Sequence, residues 1–96
     1  MSAAIGERVG AVMSADEATV RLYGFGRYAG HEVPPPGVSF LGLDLHELGH
    51  ENPKIELDNG QVVWGCECWW GAESRVRKMI GERAVVMVDI EKSRKG

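Results

Sequence analysis

The spacing of apolar and polar residues predicts short β-strands along most of this chain. Residues 8–14 and 19–28 are rich in β-branched and aromatic residues and flank the polar stretch ADEA, which predicts a β-hairpin. A second hairpin is predicted around Asn59-Gly60, since this dipeptide favours the tight turn between antiparallel strands. The strand after this turn is predicted to continue through QVVWGCECWW, residues 61–70.

The last quarter of the chain predicts one helix and one further strand. In AESRVRKMIGE, residues 72–82, the apolar residues Val76, Met79 and Ile80 form one stripe, which predicts a short amphipathic helix. The stretch RAVVMVDIE, residues 83–91, is almost continuously apolar and predicts a mostly buried strand. The basic residues KSRKG that follow are expected to fray.

The order of these elements predicts an α+β fold. We expect a small, mostly antiparallel β-barrel-like or rolled sheet of about five strands, with one short amphipathic helix. The 96 residues are expected to form a single domain, 1–96, with flexible ends at about 1–5 and 92–96.

Charge and composition narrow the classes of partner. A net charge of −3 argues against sequence-independent binding to nucleic acid, which requires a basic surface. The sequence contains no apolar run of about 18 residues, so no membrane span is predicted. Two cysteines and a start without signal-peptide features predict a reducing cytoplasm as the compartment.

One motif suggests enzyme chemistry. His46-Glu47-Leu48-Gly49-His50 resembles the H-E-x-x-H motif of zincin metallopeptidases, in which both histidines bind zinc from one stable helix. Gly49 and the following Asn52-Pro53 are expected to stop the helix, and a third ligand does not stand at the spacing of these families. We therefore predict only a short helical turn here, with a zinc-dependent hydrolase using His46 and His50 as an alternative function.

A structural zinc site is a second alternative. His46, His50, Cys66 and Cys68 could together supply the four nitrogen and sulfur ligands that zinc prefers. In a continuous strand, however, Cys66 and Cys68 share a face with Trp64, which predicts that they are buried core thiols. A thiol nucleophile beside a histidine is the remaining possibility for these cysteines. No cofactor is predicted unless the zinc alternative holds.

Two aromatic segments are the predicted ligand-binding residues. Arg21, Tyr23, Phe25 and Arg27 alternate along one strand, so two aromatic rings and two guanidinium groups would share a face suited to a nucleotide-like anion. The same face could instead cover the core or a subunit interface.

Trp69 and Trp70 complete the set of predicted ligand-binding residues. Adjacent strand residues point to opposite faces of a sheet, so we expect one of the two rings to be buried. The other ring is expected to contact solvent, a ligand or a partner.

The segment NPKIELDNGQVVWGCECWWG, residues 52–71, resembles stretches of small uncharacterised proteins of bacteria and their phages. This resemblance implies a cytoplasmic, accessory or phage-borne protein and carries no catalytic residues with it. The sequence as a whole therefore predicts a non-enzymatic binding module. Its expected partners are a second copy of itself, another protein or a small nucleotide-like anion, and not a membrane.

Overall fold

A computed structural model of the protein describes residues 4–40 and 42–95. The predicted flexible ends, about 1–5 and 92–96, therefore lie partly outside the described residues. The elements, in chain order, are β1 (Arg8–Ala15), β2 (Thr19–Glu32), β3 (Ser39–Phe40), β4 (Leu43–Asp44), α1 (Leu45–Leu48), β5 (Asn52–Leu57), β6 (Val62–Trp64), β7 (Trp69–Ala72), α2 (Glu73–Ile80), β8 (Ala84–Met87) and α3 (Ile90–Lys95). A 3-10 turn, Gly65–Glu67, separates β6 from β7.

The described strands form one six-stranded sheet and a separate pair, β3–β4. The order in the large sheet is β6-β5-β2-β1-β7, and β8 pairs with β2 in parallel. The other pairings in this sheet are antiparallel, so the predicted α+β, mostly antiparallel fold is confirmed. Within the described residues this sheet is not closed into a barrel, because β6 and β7 at the two ends of the order do not pair.

The long strand β2 organises this sheet. One edge of β2 pairs with β1 along residues 20–27, and the other edge pairs with β8 at residues 19–22 and with β5 at residues 26–32. The β1–β2 register shifts between Ala11 and Val12, which leaves Tyr23 as an additional residue on β2. Such a bulge changes the side to which the following side chains point.

The two faces of the sheet carry separate hydrophobic clusters. On β1, Val9 and Ala11 belong to one cluster, together with Ile90 of α3. Val12 belongs to the other cluster, together with Val76 of α2. Helix α3 therefore covers one face of the sheet, and helix α2 covers the other. Each of these two clusters buries residues that are distant in sequence.

Two predicted strands differ from the observed ones. The predicted continuous strand over residues 61–70 is interrupted at Gly65–Glu67, where the carboxylate of Glu67 accepts the backbone N–H of Trp64 at 3.0 Å. A strand does form within residues 83–91, but its predicted burial is wrong, because the strand ends at Met87 and all its residues are exposed. Among the described strands, β8 pairs only with β2, so it is an edge strand. Helix α3 follows β8 in the chain.

Among the described residues, no helix is long and apolar enough to cross a bilayer.

Candidate functional site

The H-E-x-x-H segment forms the predicted short helical turn. Helix α1 is four residues long and begins at Asp44, whose side chain accepts the backbone N–H groups of His46 and Glu47. It ends at Gly49, which adopts the left-handed conformation with φ 67° and ψ 21°. His50 therefore lies beyond the helix, and the two histidines do not have the one-turn spacing on which zincin metal binding depends.

The alternative zinc ligands are not brought together either. The ring Nδ1 of His46 lies 3.0 Å from the carbonyl oxygen of Pro34, at a cleft that Pro35 and Pro36 also line. His50 borders a different depression, the one lined by Cys66 and Cys68. Within residues 4–40 and 42–95, no group of three or more metal-binding side chains is close enough to hold an ion.

The predicted ligand face on β2 is divided between the two sides of the sheet. Tyr23 is 4% exposed and packs in the cluster that contains Ile90, whereas Phe25 packs beside Val76 under α2. The bulge at Tyr23 causes this division, because it breaks the strict alternation of faces. One face of the Phe25 ring is also covered by the guanidinium of Arg77, 4.3 Å from the ring centroid.

The two arginines of this predicted set are exposed and separate. The guanidinium of Arg21 lies 3.5 Å from the hydroxyl of Ser14, and that of Arg27 donates to the carbonyl oxygen of Gly6 at 3.0 Å. Neither the Tyr23 ring nor the Phe25 ring is therefore accessible to a ligand that Arg21 and Arg27 could bind together. The geometry gives no support to base stacking at Arg21, Tyr23, Phe25 and Arg27.

Trp69 and Trp70 point to opposite faces of the sheet, as predicted. Trp70 stacks on Tyr28, with ring centroids 5.4 Å apart and planes at 13°, and packs against the core. Trp69 pairs with Val12 at the end of β7 and is 50% exposed. Whether Trp69 contacts a ligand stays a prediction.

Beside Trp70 lies an apolar groove of about 650 Å³. Its lining residues come from β4, α1, the start of β5, the 3-10 turn and β7. The groove is lined by Leu43, Leu45, Leu48, His50, Glu51, Asn52, Pro53, Gly65, Cys66, Cys68 and Trp70. A volume of several hundred Å³ with a mainly apolar lining and a few polar groups is typical of ligand and side-chain binding sites.

Little in the sequence indicates that the leucines of this groove form an exposed surface. Leu43 and Leu48 are 55% and 51% exposed, although the sequence pattern resembles that of core residues. The one available signal is the length of the helix. A helix of a single turn can bury few side chains, and here Leu45 takes the buried position.

The two thiols in the groove are protonated at neutral pH. Burial, together with the nearby charge of Glu67, raises the pKa of the Cys68 thiol to about 12. Burial also raises the pKa of Cys66. The Cys68 thiol lies 3.6 Å from the carbonyl oxygen of Trp64 and points its S–H toward that oxygen. Protonated thiols are poor nucleophiles, so these surroundings do not activate either cysteine for nucleophilic attack.

We expect Cys68 to be alkylated at least about a hundredfold more slowly than a free thiol at pH 8, because its raised pKa leaves little thiolate. Cys66 is expected to react first. A time course of iodoacetamide labelling followed by peptide mass spectrometry measures both rates. The urea-unfolded chain is the control, in which both cysteines should label equally. Equal rates in the folded protein would contradict the prediction.

Comparison of the chain with models of known protein families, with curated proteins and with solved structures finds no match. No activity, substrate or partner is therefore carried over to this chain from another protein.

Proposed function

We propose that this protein is a non-enzymatic binding module whose groove holds a segment of a partner protein. The observation that carries the proposal is the apolar groove beside Trp70, with two half-exposed leucines at its mouth. Leu43 and Leu48 offer apolar surface that a partner side chain can remove from water. The occupant is a peptide segment with one apolar anchor residue.

The charges at the rim specify the residues that flank this anchor. Glu51 lines the groove, and Glu47 is exposed on the neighbouring helix α1. No lysine or arginine is among the described lining residues. A partner segment with lysine or arginine beside its apolar anchor would complement this rim, whereas an anionic ligand would be repelled.

The same charges disfavour a nucleotide. Nucleotide sites combine an accessible aromatic face with cationic groups for the phosphates. Here Tyr23 is buried, Phe25 is covered by Arg77, and the groove itself has an acidic rim. Of the partners predicted from sequence, a protein segment fits these surfaces better than a nucleotide.

A random peptide library displayed on phage tests this proposal directly. Selection on the wild-type protein is expected to enrich peptides with an apolar residue beside lysine or arginine. Leu48→Lys should weaken the binding of these peptides at least tenfold, because it removes an apolar side chain from the mouth of the groove and places a positive charge beside the lysine or arginine of the peptide. Leu48 is 51% exposed, so this substitution should preserve the fold.

The matched control is Met13→Lys, the same type of change at an exposed apolar residue on β1, outside the groove. Peptide affinity should be unchanged in Met13→Lys. Circular dichroism of both variants checks that each is folded. Failure to enrich any peptide, or equal binding to Leu48→Lys and the wild type, would overturn the proposal.

A further inference from the structure

The outer edge of β8 is an exposed apolar strand edge. Val85, Val86 and Met87 are 43%, 47% and 63% exposed, although they lie in a strand. Among the described strands, β8 pairs with β2 and no strand lies on its other side. Open edges with apolar side chains are sites where another strand adds.

The backbone groups that face this open edge are identified by two hydrogen bonds. The N–H of Ala84 donates to Ala18 at 2.9 Å, and the N–H of Val88 donates to Leu22 at 2.8 Å. Backbone groups of successive strand residues point to alternate sides, so Val85 and Met87 direct their N–H and C=O groups outward. The free edge therefore offers two complete donor and acceptor sets.

The side chains of β8 divide between the faces of the sheet. Val85 and Met87 line a cleft of about 380 Å³ beside Phe25 and Ile80, on the face covered by α2. Val86 lies in register with Arg21 and points to the opposite face. An added strand would thus be met by apolar side chains on both faces.

We propose that β8 pairs with β8 of a second copy of this chain, antiparallel, across a two-fold axis at Val86. A two-fold axis of this kind joins identical surfaces, and it would merge the two sheets into one. This surface lies outside the groove, so the inference does not depend on the proposed partner segment.

Backbone geometry and charge select the Val86 register. With Val86 opposite its equivalent, Val85 stands opposite Met87 of the second copy, and such a pair exchanges two hydrogen bonds. The axis repeats the pair, which gives about four bonds. Arg83 then stands opposite Asp89 of the second copy, so opposite charges flank both ends of the interface. Within its own chain, Asp89 Oδ1 accepts the side-chain N–H of Gln61 at 3.2 Å and the backbone N–H of Glu91 at 2.8 Å, so its other oxygen, Oδ2, is the acceptor for Arg83.

Neighbouring registers lack this match. An axis at Val85 places Arg83 opposite Met87, and an axis at Met87 places Asp89 opposite Val85. Each of these registers sets a charged side chain against an apolar one, so the interface loses the pairs of opposite charge at its ends.

The dimer is expected to be weak. A four-residue strand pairing buries less surface than the roughly 1,200 Å² of a standard stable interface. We expect a dissociation constant on the order of 100 µM, which corresponds to partial dimerisation at the concentrations used in biophysical measurements.

Sedimentation equilibrium over a range of concentrations, with reducing agent to prevent disulfide exchange, tests the proposal. The wild type should move from 10.5 kDa toward twice that mass as concentration rises. Val86→Lys places two ammonium groups opposite each other at the axis and should weaken the dimer at least tenfold. Val33→Lys, the same change at a valine that is 40% exposed elsewhere, should dimerise like the wild type.

A charge exchange tests the register. Arg83→Asp and Asp89→Arg each place like charges opposite one another in their own homodimers, so each variant alone should be monomeric. Asp89→Arg also removes the acceptor of the Gln61 and Glu91 N–H groups, so circular dichroism is used to check that both variants are folded. An equimolar mixture of the two restores opposite charges at both ends and should form a heterodimer. A wild type that stays monomeric at 1 mM, where the expected dissociation constant requires dimer, would overturn the proposal. A mixture that behaves like the separate variants would overturn the register.

Discussion

Replacing Arg94 with alanine is expected to lower the free energy of unfolding by about 2–3 kcal/mol. Its guanidinium donates to both carboxylate oxygens of Glu67, at 2.6 and 2.7 Å, and to the carbonyl oxygen of Val62 at 3.0 Å. The side chain of Glu67 is only 10% exposed. Without Arg94, a largely buried carboxylate loses its counter-charge, which costs far more than the loss of a surface ion pair.

Urea denaturation of Arg94→Ala, followed by circular dichroism, measures this effect. The control is Arg75→Ala, at an exposed position on α2, where a change within about 0.5 kcal/mol is expected. A double variant that also carries Glu67→Gln should recover part of the loss, because the remaining side chain is neutral. Equal stability of Arg94→Ala and Arg75→Ala would show that the ion pair does not hold α3 to the sheet.

Replacing Gly26 with alanine is expected to lower the free energy of unfolding by about 3 kcal/mol or more. A Cβ atom at this position would lie 2.1 Å from the carbonyl oxygen of Glu56 and 2.7 Å from the Cα of Leu57. Both are backbone atoms of β5, so no side chain can move to make room. Strands β2 and β5 would have to separate at the centre of the sheet.

The matched control is Gly71→Ala, also in a strand of the same sheet. A Cβ atom at Gly71 meets nothing within 4 Å, so this variant should be as stable as the wild type or slightly more stable. Thermal unfolding of both variants measures the difference. A melting temperature for Gly26→Ala within a few degrees of the control would contradict the close approach of the two strands.

The local pattern was sufficient to predict several parts of this molecule. The hairpin at Asn59-Gly60, the single turn at residues 45–48 and the amphipathic helix near Val76 depend on turn residues, capping residues and apolar spacing. These signals act over a few neighbouring residues, so the sequence alone contains them. The opposite faces of Trp69 and Trp70 follow from the same local geometry.

Periodicity failed where tertiary contacts override it. The extra residue Tyr23 in β2 puts the side chains of Tyr23 and Phe25 on opposite faces of the sheet. The largely buried carboxylate of Glu67 accepts the backbone N–H of Trp64 and stabilises the turn between β6 and β7, where the sequence pattern predicts one continuous strand. In both places a partner distant in sequence, β1 or Arg94, stabilises the irregular backbone. A pattern along one strand contains no information about such a partner.

The sequence by itself determined the fold class and the main turns. It also determined that the H-E-x-x-H segment does not form the long, stable helix of a zincin zinc site. Only the tertiary structure decided which apolar residues remain exposed, at the groove and along β8. The physical reason is that burial depends on which strand or helix covers a residue. Val85 and Val86 would be core residues if a further strand of this chain lay beside β8, and among the described strands none does.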